Sequence, residues 1–255
     1  MEFSRIDEKR ELLIAETVDL AMTMTAIRFI SIAEQAIAEH GSFSVALSGG
    51  STPKLLFEKL LDPEQAAKIN WSKVRIFWSD ERAVPADHPE SNYAMAMHYF
   101  SKEPLDEAKK FRMPADELDL GQEKGKEKEK AASDYERQIQ KHTFEGRFDL
   151  MLLGIGEDAH TASLFPGTQA LHVTDRLVVP NFVPQKDCWR MTVTFRCINE
   201  SRKIIVLAFG KSKAHALQMT LQGKENVEKY PAQGIGQGST GVLFVVDKEA
   251  ASALK

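Results

Sequence analysis

The sequence predicts an α/β protein built on a doubly wound, mostly parallel sheet flanked by helices. Two observations carry this expectation. Short apolar runs over 43–47, 74–78, 148–153, 203–209 and 242–246 alternate with stretches of helical periodicity, the pattern of strands linked by crossover helices. Most of these runs are apolar almost throughout, as strands covered on both faces are. With 255 residues, 43% hydrophobic and 27% charged, the chain can bury a sizeable core. It carries no internal repeat and no convincing linker, so a single domain over 1–255 is expected.

Each element has its own local reason. Leu13, Val18, Leu20, Met24, Ile27, Ile30, Ala33 and Ile37 recur at helical spacing, predicting a long helix over 8–39, in one piece or two, ended by Gly41. The strand at 43–47 runs into Ser48-Gly-Gly-Ser-Thr52, a tight turn. Pro53 suits the first turn of the next helix, which reaches Leu61 with Thr52 as its expected N-cap. A strand at 74–78 leads into a loop over 79–85, and 91–100 reads as helix. The mixed-sign charge run from Gly121 starts as a solvated loop and continues as a surface helix to Lys141, with i,i+4 pairs. Strands follow at 177–179 and 189–195. The alternation in Arg190-Met-Thr-Val-Thr-Phe195 marks the second as half-exposed or antiparallel. The strand at 203–209 ends at Gly210-Lys-Ser-Lys-Ala-His215, which opens a helix to about Leu221. Residues 223–241 form a polar, glycine-rich loop, a candidate for mobility, before the last strand.

Composition excludes several function classes. A net charge of −4 and a pI near 6.0 give no basic field for nucleic acid. Cys188 and Cys197 form neither a metal-spaced pair nor a disulfide framework, which fits a reducing cytoplasm. The charged start of the chain lacks the apolar core of a secretory leader. No stretch is expected to reach the 18 or so apolar residues of a membrane span, so no membrane partner is expected. His98, His142, His172 and His215 are scattered, and no metal site is expected.

The chemistry gathers at strand ends, where open α/β sheets bind ligands. Gly154-Ile-Gly-Glu-Asp-Ala-His160 places Glu157, Asp158 and His160 just past a buried strand, and an imidazole there can exchange a proton near neutral pH. The turn carrying Ser48, Gly49, Gly50, Ser51 and Thr52 lets a ligand approach backbone N–H groups at a helix N-terminus. It is neither a Walker A loop nor a dinucleotide fingerprint, and it also reads as plain punctuation. Arg82 can grip a phosphate or carboxylate bidentately, or pair within its loop with Asp80 or Glu81. Lys211 can hold a phosphate as a point charge, or be an ordinary lysine at a helix start. Arg190 is a further candidate of the same kind. Taken together, these residues imply a phosphorylated small molecule undergoing acid–base chemistry.

Ala46-Leu-Ser-Gly-Gly-Ser-Thr-Pro53, Trp78-Ser-Asp-Glu-Arg-Ala-Val-Pro85 and the segment from Gly154 through His160-Thr-Ala-Ser-Leu-Phe-Pro-Gly167 resemble the signature segments of the 6-phosphogluconolactonase family. The likeness extends from about the first helix to Asp247. It implies the fold shared with glucosamine-6-phosphate deaminase and, more remotely, ribose-5-phosphate isomerase and CoA transferases. It also implies hydrolysis of 6-phosphogluconolactone in the oxidative pentose phosphate pathway, without a cofactor, by a cytoplasmic monomer or homodimer. His160 is then the base, and Asp158 or Glu157 orients it. Ser48, Gly49, Gly50, Ser51, Thr52, Asp80, Arg82, Arg190 and Lys211 line the substrate site, and Gly49, Gly50 or other loop N–H groups stabilise an oxyanion. The deaminases carry Tyr after their Asp-Glu pair and an Ile-Ala-Phe-Asn-Glu-Pro type segment after their His, so Arg82 and Thr161 to Pro166 favour the lactonase. A deaminase-isomerase and a non-catalytic sugar-phosphate-binding module are the alternatives. Two departures stand out. Ala159 occupies a position usually Gly, and Phe244 one usually Trp, a change expected to affect packing.

Overall fold

The computed structural model has a mixed α/β fold with a mostly parallel central sheet flanked by helices, and it describes residues 1–118, 125–238 and 241–255. In chain order the elements are β1 (Glu2–Arg5), β2 (Arg10–Ala15), α1 (Val18–His40), β3 (Phe43–Leu47), α2 (Ser51–Leu60), α3 (Pro63–Ala66), β4 (Val74–Trp78), β5 (Asp80–Arg82) and α4 (Asn92–Phe100). They continue with β6 (Lys109–Lys110), α5 (Gly125–His142), β7 (Leu150–Gly154), β8 (Val178–Val183), β9 (Cys188–Val193), α6 (Phe195–Glu200), β10 (Ile204–Ala208), α7 (Ala214–Gln222) and β11 (Val242–Asp247).

The main sheet has the order β1-β2-β11-β10-β7-β3-β4-β6. The β1–β2 pair is antiparallel and its other pairs are parallel. β3 and β10 are buried along their whole length, which is why they read as unbroken apolar runs. From β3 the chain winds outward through β4 to β6, returns to β7, and then winds the other way through β10 to β11. The winding reverses between β3 and β7, and ligands of such sheets bind beyond the strand ends at that point. A second, antiparallel sheet of order β5-β9-β8 continues from β4. The bond from Val193 N–H to Ser79 O, 2.8 Å, ties it to the first. One hydrophobic cluster takes in residues of both sheets, Phe77 and Met191 among them.

Several local expectations are corrected. Residues 8–16 are not helical. Leu12 and Leu13 pair with Phe244 and Val245 in a parallel ladder, and α1 starts only at Val18, where the Thr17 hydroxyl caps the Leu20 N–H at 3.1 Å. A compact Leu-Leu-Ile run satisfies either period, and the free edge of β11 decided for strand. Thr52 does not cap α2. The helix starts at Ser51 with Gly50 as N-cap and no side-chain cap. The loop over 79–85 contains β5, and the strand expected to reach Phe195 stops at Val193, where Thr194 caps α6. That strand is antiparallel, as its alternation indicated.

In the glycine-rich stretch after α7, Ala232, Gln233, Gly234 and Ile235 are buried. The Gln233 amide donates to Met219 O and Lys224 O at 2.7 and 3.1 Å, so this part is anchored. The start of the charge run, 121–124, lies outside the described residues, and α5 follows it. By length and composition α1 would pass for a membrane span, against the expectation that no stretch is long and apolar enough. It buries Met22, Phe29 and Ile30 in the core. Phe244 is fully buried in β11, a packing position as expected.

Candidate active site

The ends of β3, β4, β7 and β10 surround a cleft of about 230 Å³ at the winding reversal. Ser48, Gly49, Gly50, Ser51 and Thr52 line it from the β3 side, and Asp80, Arg82 and Arg190 from the second sheet. His160 lines it from the β7 side. The structure therefore brings together all the residues expected at the site except Lys211, with Asp158 reaching it through His160.

Lys211 is exposed and does not line the cleft; Lys213 does. A short 3-10 turn over Lys211–Lys213 precedes α7, and the phase of that turn selects the second lysine. The sequence showed two lysines after a glycine and no means of choosing. Asn92, at the start of α4, also lines the cleft, and no sequence signal marked it.

His160 is held on several sides. Its Nδ1 lies 2.5 Å from Asp158 Oδ1, and the same oxygen accepts the His160 backbone N–H at 3.1 Å. An ionised carboxylate only accepts, so Nδ1 is the donor in this bond, and the neutral tautomer it selects carries its lone pair on Nε2. Glu157 is exposed, and Asp158, rather than Glu157, makes this bond. Burial raises the Asp158 pKa, but the His160 side chain and backbone N–H bonds outweigh burial and hold it below the usual 3.8. The imidazole stacks on Phe165, with ring centroids 4.0 Å apart and planes 15° from parallel.

The backbone beneath is tight. Gly156 N–H donates to His160 O at 2.8 Å, and a Cβ at Gly156 would overlap His160 Nδ1 and Cε1 and Asp158 Oδ1. Ala159 has φ +63° and is fully buried. The position does require the left-handed region, where a Cβ is costly. The turn holds because Ala159 N–H donates to Gly156 O and Ala159 O accepts from Ala232 N–H, at 3.0 and 2.9 Å.

The opposite wall is cationic. Arg82 and Arg190 are directly paired across β5 and β9, a like-charge neighbourhood that is unfavourable unless an anion shares it. Arg82 Nη1 donates to Glu90 O at 2.5 Å. The Arg82 and Arg190 Nε atoms are buried with no partner among the described residues. Arg190 Nη1 lies 3.4 Å from Ser163 Oγ and 3.9 Å from Asp80 Oδ2. Each Asp80 carboxylate oxygen accepts a bond, from the Ser163 hydroxyl at 2.6 Å and from the Asn92 amide at 3.2 Å. It thus links the second sheet to Ser163 and to the α4 start, with Arg190 3.9 Å away.

Among the described residues the Arg82 guanidinium makes no ion pair with Asp80 or Glu81. Glu81 accepts the backbone N–H groups of Arg82, Asn92 and Tyr93 and the Ser91 hydroxyl. Burial pushes its pKa up against these donors. Ser48 donates to Leu152 O at 2.8 Å and meets Ser79 Oγ at 2.8 Å, so its hydroxyl is structural and no base touches it. Gly50, with φ +97°, leaves the first turn of α2 without a side-chain cap, its N–H groups and positive dipole end at the cleft. Among the described residues no group of three or more His, Cys, Asp or Glu side chains could hold a metal ion.

The chain is thus one of the α/β proteins that set a histidine opposite paired arginines where a doubly wound sheet reverses. A family model described as glucosamine-6-phosphate isomerases/6-phosphogluconolactonase matches residues 16–244, and the chain belongs to that family. The 6-phosphogluconolactonase of Synechocystis sp. is 40% identical over 223 residues, spanning 87% of this chain and 88% of its own. That of Chlamydia pneumoniae is 32% identical over 252 residues, spanning 96% and 90%. The structure of 6-phosphogluconolactonase from Trypanosoma brucei matches with a TM-score of 0.80 at 28% identity, over 96% of this chain and 98% of that one. A monomeric glucosamine-6-phosphate deaminase, 22% identical with a TM-score of 0.75, shares the fold.

Proposed function

We propose that this chain hydrolyses 6-phospho-D-glucono-1,5-lactone to 6-phosphogluconate in the cytoplasm, with His160 as the general base. The observation that carries this reading is the Asp158–His160 pair, 2.5 Å apart, set in one cleft with Arg82, Arg190 and Lys213. His160 Nε2 takes a proton from water as the water oxygen bonds to the lactone carbonyl carbon. The carbonyl becomes an oxyanion, stabilised by N–H groups that the cleft offers at Gly49, Gly50 and the uncapped α2 start. As the intermediate collapses, the C–O bond to the ring oxygen breaks and the imidazolium returns its proton to that oxygen. The new carboxylic acid then ionises to solvent. Asp158 stabilises the imidazolium while it exists and keeps the neutral ring in the tautomer that accepts.

Arg82, Arg190 and Lys213 hold the 6-phosphate, so binding at one end of the sugar fixes the carbonyl near the base. No step needs a metal or a cofactor. Arg82 and the Thr161–Pro166 segment favour lactone hydrolysis over deamination.

The test is 6-phosphogluconate formation from fresh lactone, coupled to a dehydrogenase, with glucosamine 6-phosphate as control substrate. A catalysed loss of lactone without ammonia release from the control is expected. Ammonia release without lactone turnover would assign the deaminase activity instead. Binding without turnover of either would leave a sensing module.

A further inference from the structure

The Asp158 bond fixes one edge of the imidazole and leaves it free to swing about the Nδ1···Oδ1 line. Arg190 has a similar deficit. Its Nε has no partner among the described residues, and its anchors are a long contact to Ser163 Oγ and a 3.9 Å approach to Asp80. One side chain completes both. The Phe165 ring, 2% exposed, lies parallel to His160 at 4.0 Å and carries the Arg190 guanidinium 5.4 Å from its centroid.

We infer that Phe165 is the positioning residue that sets the base and the anion grip in register, an inference that rests on the function proposed above. The loop is built to return the ring to this place. Leu164 N–H donates to Thr161 O at 2.9 Å and closes a turn between the base and the ring, while Phe165 O accepts the buried Thr168 hydroxyl at 2.8 Å. The turn passes through Ala162 at φ +48°, a further conformation held only because its surroundings impose it. Phe165 touches no reacting atom; it works through its two neighbours. A flat ring face fixes the imidazole plane and thereby the direction of the Nε2 lone pair. It also favours the cation that forms when the water proton arrives, as aromatic faces do for positive charge. Because the same ring supports Arg190, the distance between phosphate grip and base is set by one rigid group, where an aliphatic side chain would allow both to drift.

The test is a double-mutant cycle of Phe165→Leu and His160→Ala, with two readouts. The first is kcat on fresh lactone with spontaneous hydrolysis subtracted. The second is the Kd for 6-phosphogluconate by calorimetry, which needs no turnover. Phe165→Leu alone is expected to lower kcat about tenfold or more and to weaken product binding about threefold. In the His160→Ala background the kcat loss should disappear, because the group being positioned is gone, while the binding loss through Arg190 should remain. A kcat loss of the same factor in both backgrounds would mean that Phe165 is packing only.

If Phe165→Leu does not fold, pentafluorophenylalanine at the same position keeps the shape and reverses the charge on the ring face. It is expected to lower kcat and weaken product binding at an unchanged Tm, and wild-type values of both would overturn the inference. Failure of the underlying reading looks different: His160→Ala itself would then retain near-normal kcat.

Discussion

At the residue scale, the hydrogen bond from His160 Nδ1–H to Asp158 sets which nitrogen is free. In Asp158→Asn the amide NH2 can donate to Nδ1 and so select the opposite tautomer, with the proton on Nε2. Steady-state kinetics should show kcat lower by about 10²-fold or more, with little change in KM. The same carboxylate has a stability signature. Its pKa is depressed in the folded state, so its contribution is present above the unfolded value near 3.8 and is lost as pH falls through the lower folded value. The Tm gap between wild type and Asp158→Asn should therefore be open at pH 7 and close progressively below about pH 4. A gap that widens in acid would reverse the sign and refute the assignment.

Ala159→Gly should stabilise the protein. Release from φ +63° outweighs the added freedom of an unfolded glycine, for a net gain of up to about 1 kcal/mol in urea unfolding. A loss of stability would mean that the buried methyl is worth more than the strain. Lys213→Ala should raise KM severalfold, while Lys211→Ala leaves it near wild type; equal effects would remove the geometric distinction between them. Each residue type of the site has ordinary structural uses on its own; what made the site legible is that glycines, a histidine and arginines recur at successive strand ends, where open α/β sheets bind ligands. The choices of Asp158 over Glu157 and of Lys213 over Lys211 were not legible. Each depends on side-chain direction within a single turn, which spacing does not determine.

At the element scale, the loop after β7 works as a rigid bracket. Gly156→Ala would push a methyl group into the imidazole and its carboxylate. Its kcat should fall nearly as far as in His160→Ala, with Tm much less affected than by a core truncation; unimpaired turnover would show that the bracket can yield. The buried strands and α4 could be read from local pattern; Ser91, expected as the first helical residue, instead caps α4 by accepting the Ala94 N–H. The failures share a physical cause. β5 is only three residues long and β2 carries an apolar run that suits either period; both become strands by pairing with β9 and β11, partners remote in sequence. α2 lacks the side-chain cap that Thr52 was expected to give, and the missing cap leaves donors open to the cleft.

For the whole molecule, alternating strands and helices were enough to identify a doubly wound sheet, but not its strand order. That order places β3 beside β7 and so puts the Gly49-Gly50 turn and His160 on the same cleft. The second sheet brings Arg82 against Arg190, which no local pattern could reveal because the pairing is set by tertiary register. The family resemblance bridged that gap in advance, and the strand order gives its physical basis.

Turnover at this reversal point depends on His160 as the proposed base. The most direct test is kcat for 6-phosphogluconate formation from fresh lactone by wild type and His160→Ala, with spontaneous hydrolysis subtracted and folding verified by Tm. A fall of about 10²- to 10⁴-fold is expected. Near-wild-type turnover in a folded His160→Ala enzyme would contradict it.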